Sequence, residues 1–151
     1  MRTLNMQSSI ELQAPAALVF DFVADQTNAP RWQTGLHEVR CITPGPLGVG
    51  TEHEFVRRFA GMRFASRNRF IAYEPGRFVA FEIPSGKITG VASYRVQPTE
   101  ANTSRLISTV DFRLGGPARL ATPLLAQVFK RDLEKNLATL KALLEQTRAD
   151  A

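Results

Sequence analysis

The sequence predicts an α+β domain, in which a curved seven-stranded antiparallel sheet wraps around one long C-terminal helix and two short helices follow the first strand. Three observations carry this prediction. Apolar and polar residues alternate with period two from Leu4 to Leu12 and again in segments between Leu36 and Leu114, the pattern of strands with one buried face. Gly and Pro clusters cut the second stretch into strand-length pieces. After Gly115-Gly116-Pro117 the apolar spacing becomes helical and stays so to about residue 147. At 151 residues, 44% hydrophobic and 22% charged, the chain has the size and composition of one globular domain, residues 1–151, with a single core.

Taken in order, Leu4, Met6, Ser8, Ile10 and Leu12 form one face of strand one, and Asn5, Gln7, Ser9 and Glu11 the other. Ala14-Pro15 ends it; Pro15 suits a first helical turn, and Val19, Phe20, Phe22 and Val23 carry a short helix to Asp25. Thr27-Asn28-Ala29-Pro30-Arg31-Trp32 restarts with capping residues, so a second brief helix ends near Gln33. Punctuation at Pro44-Gly45-Pro46-Leu47-Gly48, Ala60-Gly61, Glu74-Pro75-Gly76-Arg77 and Pro84-Ser85-Gly86-Lys87 divides residues 36–97 into five strands, and Thr103 to Leu114 makes the seventh. The closing helix carries Leu120, Leu124, Val128, Phe129, Leu133, Leu137, Leu140 and Leu144 as its apolar stripe.

Facing residues in an antiparallel hairpin have numbers that add to a constant, so tight turns at Ala60-Gly61 and Pro75-Gly76 predict the register. Glu54 then faces Arg67, Glu52 faces Arg69, and Arg69 also faces Glu82. This accounts for most of the acid-free cluster Arg57, Arg58, Arg63, Arg67 and Arg69 as an outward, solvated face, with Arg58 and Arg63 left unpaired at the tip. The net charge of +5 therefore does not imply a nucleic-acid partner, and no zinc-finger, helix-turn-helix or aromatic RNA-binding signature accompanies the cluster.

The same register turns His53, Phe55, Arg57, Phe59, Met62, Phe64, Ser66, Asn68 and Phe70 to the concave face. Phe81, Gly90, Ala92, Tyr94, Ser108, Val110 and Phe112 join them from the later strands. Gly90 and Ala92 are small where a solid core wants bulk, and polar groups are scattered among aromatics. That mixture is expected of a lined ligand cavity. Trp32 is either an aromatic at the cavity rim or a corner plug, Phe129 and Leu133 line the back wall and Asn136 flanks it; core packing is the default for this helix, and the alternatives for Leu120 to Phe129 are a partner face or, with Arg119 and Lys130 at its ends, an amphipathic membrane contact.

Other chemistries find no support. His37, His53 and Cys41 are the only soft metal ligands and make no HExxH or CxxC spacing, so no metal is expected. Gly45 to Gly50 precedes a strand rather than a helix and no Gly-x-Ser-x-Gly elbow occurs, so no cofactor is expected. Cys41, beside Val39 in a strand, is expected to be a buried, inert thiol. A single cysteine, no signal-like N-terminus and no apolar run near the roughly 20 residues of a membrane span point to the cytoplasm and to no integral membrane association. A monomer or homodimer is expected.

The segments Ser9-Ile10-Glu11-Leu12-Gln13-Ala14-Pro15-Ala16-Ala17-Leu18-Val19-Phe20-Asp21-Phe22-Val23-Ala24-Asp25, Asn28-Ala29-Pro30-Arg31-Trp32, Val49-Gly50-Thr51, Tyr73-Glu74-Pro75-Gly76-Arg77, Ser93-Tyr94-Arg95-Val96-Gln97-Pro98 and Asp132-Leu133-Glu134-Lys135-Asn136-Leu137 resemble the START-like, SRPBCC superfamily, in its polyketide cyclase/dehydrase and lipid-transport branch. The resemblance spans nearly the whole chain. It implies the helix-grip fold and a cavity for an apolar or aromatic molecule such as a lipid, quinone or polyketide, and it leaves the activity open. In a carrier, His53, Arg57 and Tyr94 would orient a polar head. In a polyketide cyclase or dehydratase, His53 would be the general acid or base, with Arg57 or Tyr94 stabilising an enolate oxygen. His53 and Arg57 share a strand face and are expected to reach one ligand oxygen. A third reading is a protein-interaction module of stress-response type.

Overall fold

A computed structural model describes residues 2–59, 61–85, 88–114, 120 and 122–149. Its strands are β1 (Arg2–Leu12), β2 (Leu36–Cys41), β3 (Glu52–Phe59), β4 (Met62–Glu74), β5 (Phe78–Ser85), β6 (Ile88–Glu100) and β7 (Thr103–Leu114). They form one antiparallel sheet in the order β1-β7-β6-β5-β4-β3-β2. Helix α1 (Ala16–Ala24) and a 3-10 helix (Gln26–Arg31) connect β1 to β2, and α2 (Thr122–Ala149) closes the chain. This is the expected architecture.

Local chemistry sets the boundaries. Pro15 is extended and stands just before α1, its carbonyl accepting from the Val19 N–H at 3.1 Å. Asp25 ends α1 and caps the 3-10 helix, its carboxylate accepting from the Thr27 N–H at 3.1 Å and the Thr27 hydroxyl at 2.6 Å. Gly61 and Gly76 turn the chain at φ +77° and +78°, a region other residues avoid.

The counted pairs are the observed ones except next to the second turn, where Glu74 pairs with Phe78 across a three-residue loop and a bulge at Ile71 restores the count. Glu52 stands opposite Arg69, Glu54 opposite Arg67, and Arg69 opposite Glu82. Arg69 pairs with Glu82 at 2.6 Å, and Arg67 reaches diagonally to Glu52 at 3.9 Å. Glu54 is instead taken by Arg40, which faces it from β2 at 2.5 Å. Exposed pairs of this kind contribute about 0.2–1 kcal/mol each. Arg58 and Arg63 face each other at the β3–β4 tip, and neither makes an ion pair among the described residues.

The core lies between the concave face of the sheet, α1 and the C-terminal part of α2. Leu12, Val19, Phe20, Phe70, Val79, Val96, Leu106, Leu137, Leu140 and Leu144 are buried in it. Two expectations are corrected here. Leu120, Leu124 and Val128 do not share the buried stripe; they are exposed. At about 100° per residue, Val128 lies about 180° around α2 from Leu137, so two apolar lines with similar spacing occupy opposite faces. Cys41 is exposed, not buried, because it is the last residue of the edge strand β2; its thiol donates to the Thr43 carbonyl at 3.3 Å.

Candidate functional site

A rank of rings crosses the middle of the concave face. His53 on β3 lies 5.4 Å from Phe70 on β4, Phe70 lies 6.2 Å from Phe81 on β5, Phe81 lies 5.8 Å from Tyr94 on β6, and Tyr94 lies 5.8 Å from Trp32. Register explains the rank. Phe70 and Phe81 are direct partners, whereas His53 stands opposite Asn68 and Phe81 opposite Ala92, so the steps to Phe70 and to Tyr94 are diagonal. Trp32, just after the 3-10 helix, is buried against Tyr94 and fills a corner instead of standing at a rim.

Polar groups are set into this apolar rank. His53, Asn68 and Ser108 are all buried. Neither ring nitrogen of His53 and not Oδ1 of Asn68 has a hydrogen-bond partner among the described residues. A neutral imidazole needs one donor and one acceptor, and each buried polar atom left alone costs about 1–3 kcal/mol. Three such atoms on two facing side chains form a polar spot within the apolar rank. Burial lowers the His53 pKa, only partly opposed by the Asp25 carboxylate, and so favours the uncharged ring. Burial pushes the Tyr94 pKa up, and the Gln33 amide, donating to the Tyr94 hydroxyl at 3.2 Å, offsets this only in part. Tyr94 therefore stays a neutral hydroxyl.

Toward the end of the sheet where β3 turns into β4, burial falls off. Ser66, Val110, Phe112, Phe129 and Leu133 are half-buried, and Phe64 is exposed where a lining position was expected. Phe112 meets Phe129 at 5.3 Å, closing sheet against helix on the β7 side. Phe55 is buried, but in a separate cluster with Ala29, Leu36 and Val39. Ala92 is buried in the main core. Gly90 opens no void: a Cβ there would stand 2.7 Å from Cδ1 of Phe112, whose ring takes the space. Arg57 is exposed, with its guanidinium 5.8 Å from the Phe55 ring centroid. Desolvation by the surrounding wall still lowers its pKa. Four residues of strand, about 13 Å, separate it from His53, with Phe55 between. This spacing lends no support to the expectation that the two reach one ligand oxygen.

Several contributors were not singled out from the sequence. A bulge at Ile71 shifts the parity of β4, so Tyr73 joins Phe70 inside, stacked at 6.1 Å. Gln33 carries the Tyr94 contact, and Gln26 is buried with its Oε1 unpartnered among the described residues. Asn136, expected to flank the cavity, accepts from both the backbone N–H and the hydroxyl of Thr34 at 3.0 Å, which ties α2 to the turn after Trp32. Among the described residues no three His, Cys, Asp or Glu side chains come together.

Residues 3–145 match the family described as polyketide cyclase/dehydrase and lipid transport. A protein of Mycobacterium tuberculosis, itself uncharacterised, is 31% identical over 137 residues, covering 84% of this chain and 78% of that protein. Among solved structures, a START superfamily protein from Mycobacterium smegmatis superposes with a TM-score of 0.80 at 14% identity, over 95% of this chain and 99% of that one. The Zhui aromatase/cyclase from Streptomyces sp. R1128 superposes with a TM-score of 0.79 at 18% identity, over 96% of this chain and 95% of that one. At such identities the structural likeness establishes the START-like, helix-grip fold alone.

Proposed function

Since this chain belongs to the polyketide cyclase/dehydrase and lipid transport family, we propose that it binds a small apolar or aromatic molecule carrying a polar group, of lipid, quinone or polyketide type, between the sheet and α2. One observation carries this reading: the buried, unpartnered His53 and Asn68 atoms set among Phe70, Phe81 and Tyr94. The apolar body of the guest lies along the rings and its polar group completes those hydrogen bonds, while Arg57 meets whatever part reaches the mouth. Native mass spectrometry of freshly purified protein, with extraction and identification of any bound molecule, tests it. A co-purified lipid, quinone or polyketide supports the reading. An empty protein that gains no thermal stability from a panel of such molecules overturns it, because binding to the folded state must stabilise that state, and leaves the protein-interaction module as the better account.

The uncharged His53 favours a second reading, a cyclase or dehydratase. A neutral imidazole in an apolar wall has a lone pair free to take a proton next to a carbonyl, and the protonated Tyr94 hydroxyl can donate to a developing enolate. His53→Ala then lowers turnover by roughly 10²-fold or more with binding retained, whereas a carrier shows only a change in affinity.

A further inference from the structure

We propose that the end of the molecule formed by the β3–β4 tip and the first half of α2 docks on an anionic lipid bilayer surface. Two apolar groups at this end have no cover. Leu124 and Val128 are 66% and 46% exposed on the outer face of α2, with Leu120 just before the helix at 80%. Met62 and Phe64 on β4 are 60% and 49% exposed. The strand register puts both groups at one end of the sheet, because β7 finishes, and β3 turns into β4, at that end. Exposed apolar side chains concentrated in this way mark an interaction surface.

Charge identifies the partner. No Asp or Glu occurs between Glu54 and Glu74, a stretch with five arginines, and none occurs from Phe112 to Arg131. Arg58 and Arg63 face each other at the tip with no ion pair among the described residues, and Lys130 and Arg131 are exposed on α2. At the hairpin tip Arg58 and Arg63 point to the face opposite Met62 and Phe64, and Lys130 and Arg131 follow Val128 along α2, so an end-on approach sets apolar side chains toward acyl chains with cations flanking them at the level of phosphate headgroups. A second copy of this chain would set Arg58 and Arg63 against like charges, so self-association through this end is opposed. Among the described residues no helix is long and apolar enough to cross a membrane, so the contact is peripheral.

Sedimentation with phosphatidylcholine vesicles, with and without phosphatidylglycerol, tests the proposal on the whole chain. The protein should pellet with the anionic vesicles only and be released by added salt. Each basic residue near an anionic surface is worth about fivefold in partitioning, so Arg58→Glu with Arg63→Glu should weaken binding by at least tenfold. Leu124→Glu, an exposed position, should weaken it similarly without moving the melting temperature. No binding to either vesicle, equal binding by Leu124→Glu, or conversion of a dimer to a monomer by Leu124→Glu each overturns it. Ligand binding in the cavity is read separately and should survive these changes.

Discussion

The Phe112 ring occupies the volume that a side chain at Gly90 would need. The two residues are direct partners across β6 and β7, and a Cβ at position 90 would stand 2.7 Å from Cδ1 of Phe112 and 2.8 Å from the Asp111 carbonyl oxygen. The carbonyl belongs to the sheet and cannot give way cheaply, so Gly90→Ala should cost about 1–3 kcal/mol. At roughly 2–4 °C per kcal/mol for a chain of this size, thermal unfolding should show a fall of several degrees. An unchanged melting temperature would mean that both the Phe112 ring and the β7 backbone at Asp111 yield at little cost.

Folding favours the uncharged form of His53, and this has a sign in stability against pH. Its pKa in the fold is lowered from the ordinary 6.5, mainly by burial, with Asp25 opposing. The unfolded chain therefore binds the proton first as pH falls, and stability is lost from about pH 6.5 down to the folded value, below which this contribution stays flat. Denaturant unfolding across that range, compared with His53→Gln, should show a slope in the parent that the variant lacks. Parallel curves would place the titrating group elsewhere.

Asn136 holds the segment after Trp32 to α2 through two hydrogen bonds to Thr34. Both partners are near the surface, so Asn136→Ala should cost only about 1 kcal/mol globally. Its effect should concentrate locally, as faster hydrogen exchange at the Thr34 amide, while the amides of central strands keep their protection. Exchange raised uniformly over the chain would show that the contact supports the whole fold and not this turn.

The Glu52–Arg69 step was legible because the tight turn at Gly61 reduces register to counting, whereas the Arg69–Glu82 step agrees because the bulge at Ile71 offsets the one extra residue in the loop at Gly76. Alternation then located His53, Asn68, Phe70 and Phe81 correctly on the inner face. It could not locate Tyr73, because the bulge at Ile71 changes parity without any Gly or Pro to announce it. Spacing also merged two apolar lines on α2: Leu124 to Val128 and Leu133 to Leu137 have the same interval, and only their phase assigns them to opposite faces. Gly90 misled for a related reason. A small residue signals a space nearby without saying whether a cross-strand neighbour has already filled it.

Asn68 gives the sharpest separation of stability from binding. It stands beside His53 across β3 and β4, is buried, and leaves its Oδ1 without a partner among the described residues. Leucine has a similar volume and no polar atom to desolvate, so Asn68→Leu should relieve about 1–3 kcal/mol in the ligand-free protein and raise its melting temperature. The same change removes the group that would meet the polar end of a guest. Affinity for a polar-headed apolar ligand should fall by roughly tenfold, the equivalent of one hydrogen bond of about 1.4 kcal/mol. Calorimetry and ligand titration on one preparation read both effects, and their opposite signs are the signature of a site kept at the expense of stability. A variant that melts lower would show instead that Oδ1 is served by ordered water, as part of the fixed structure of the interior.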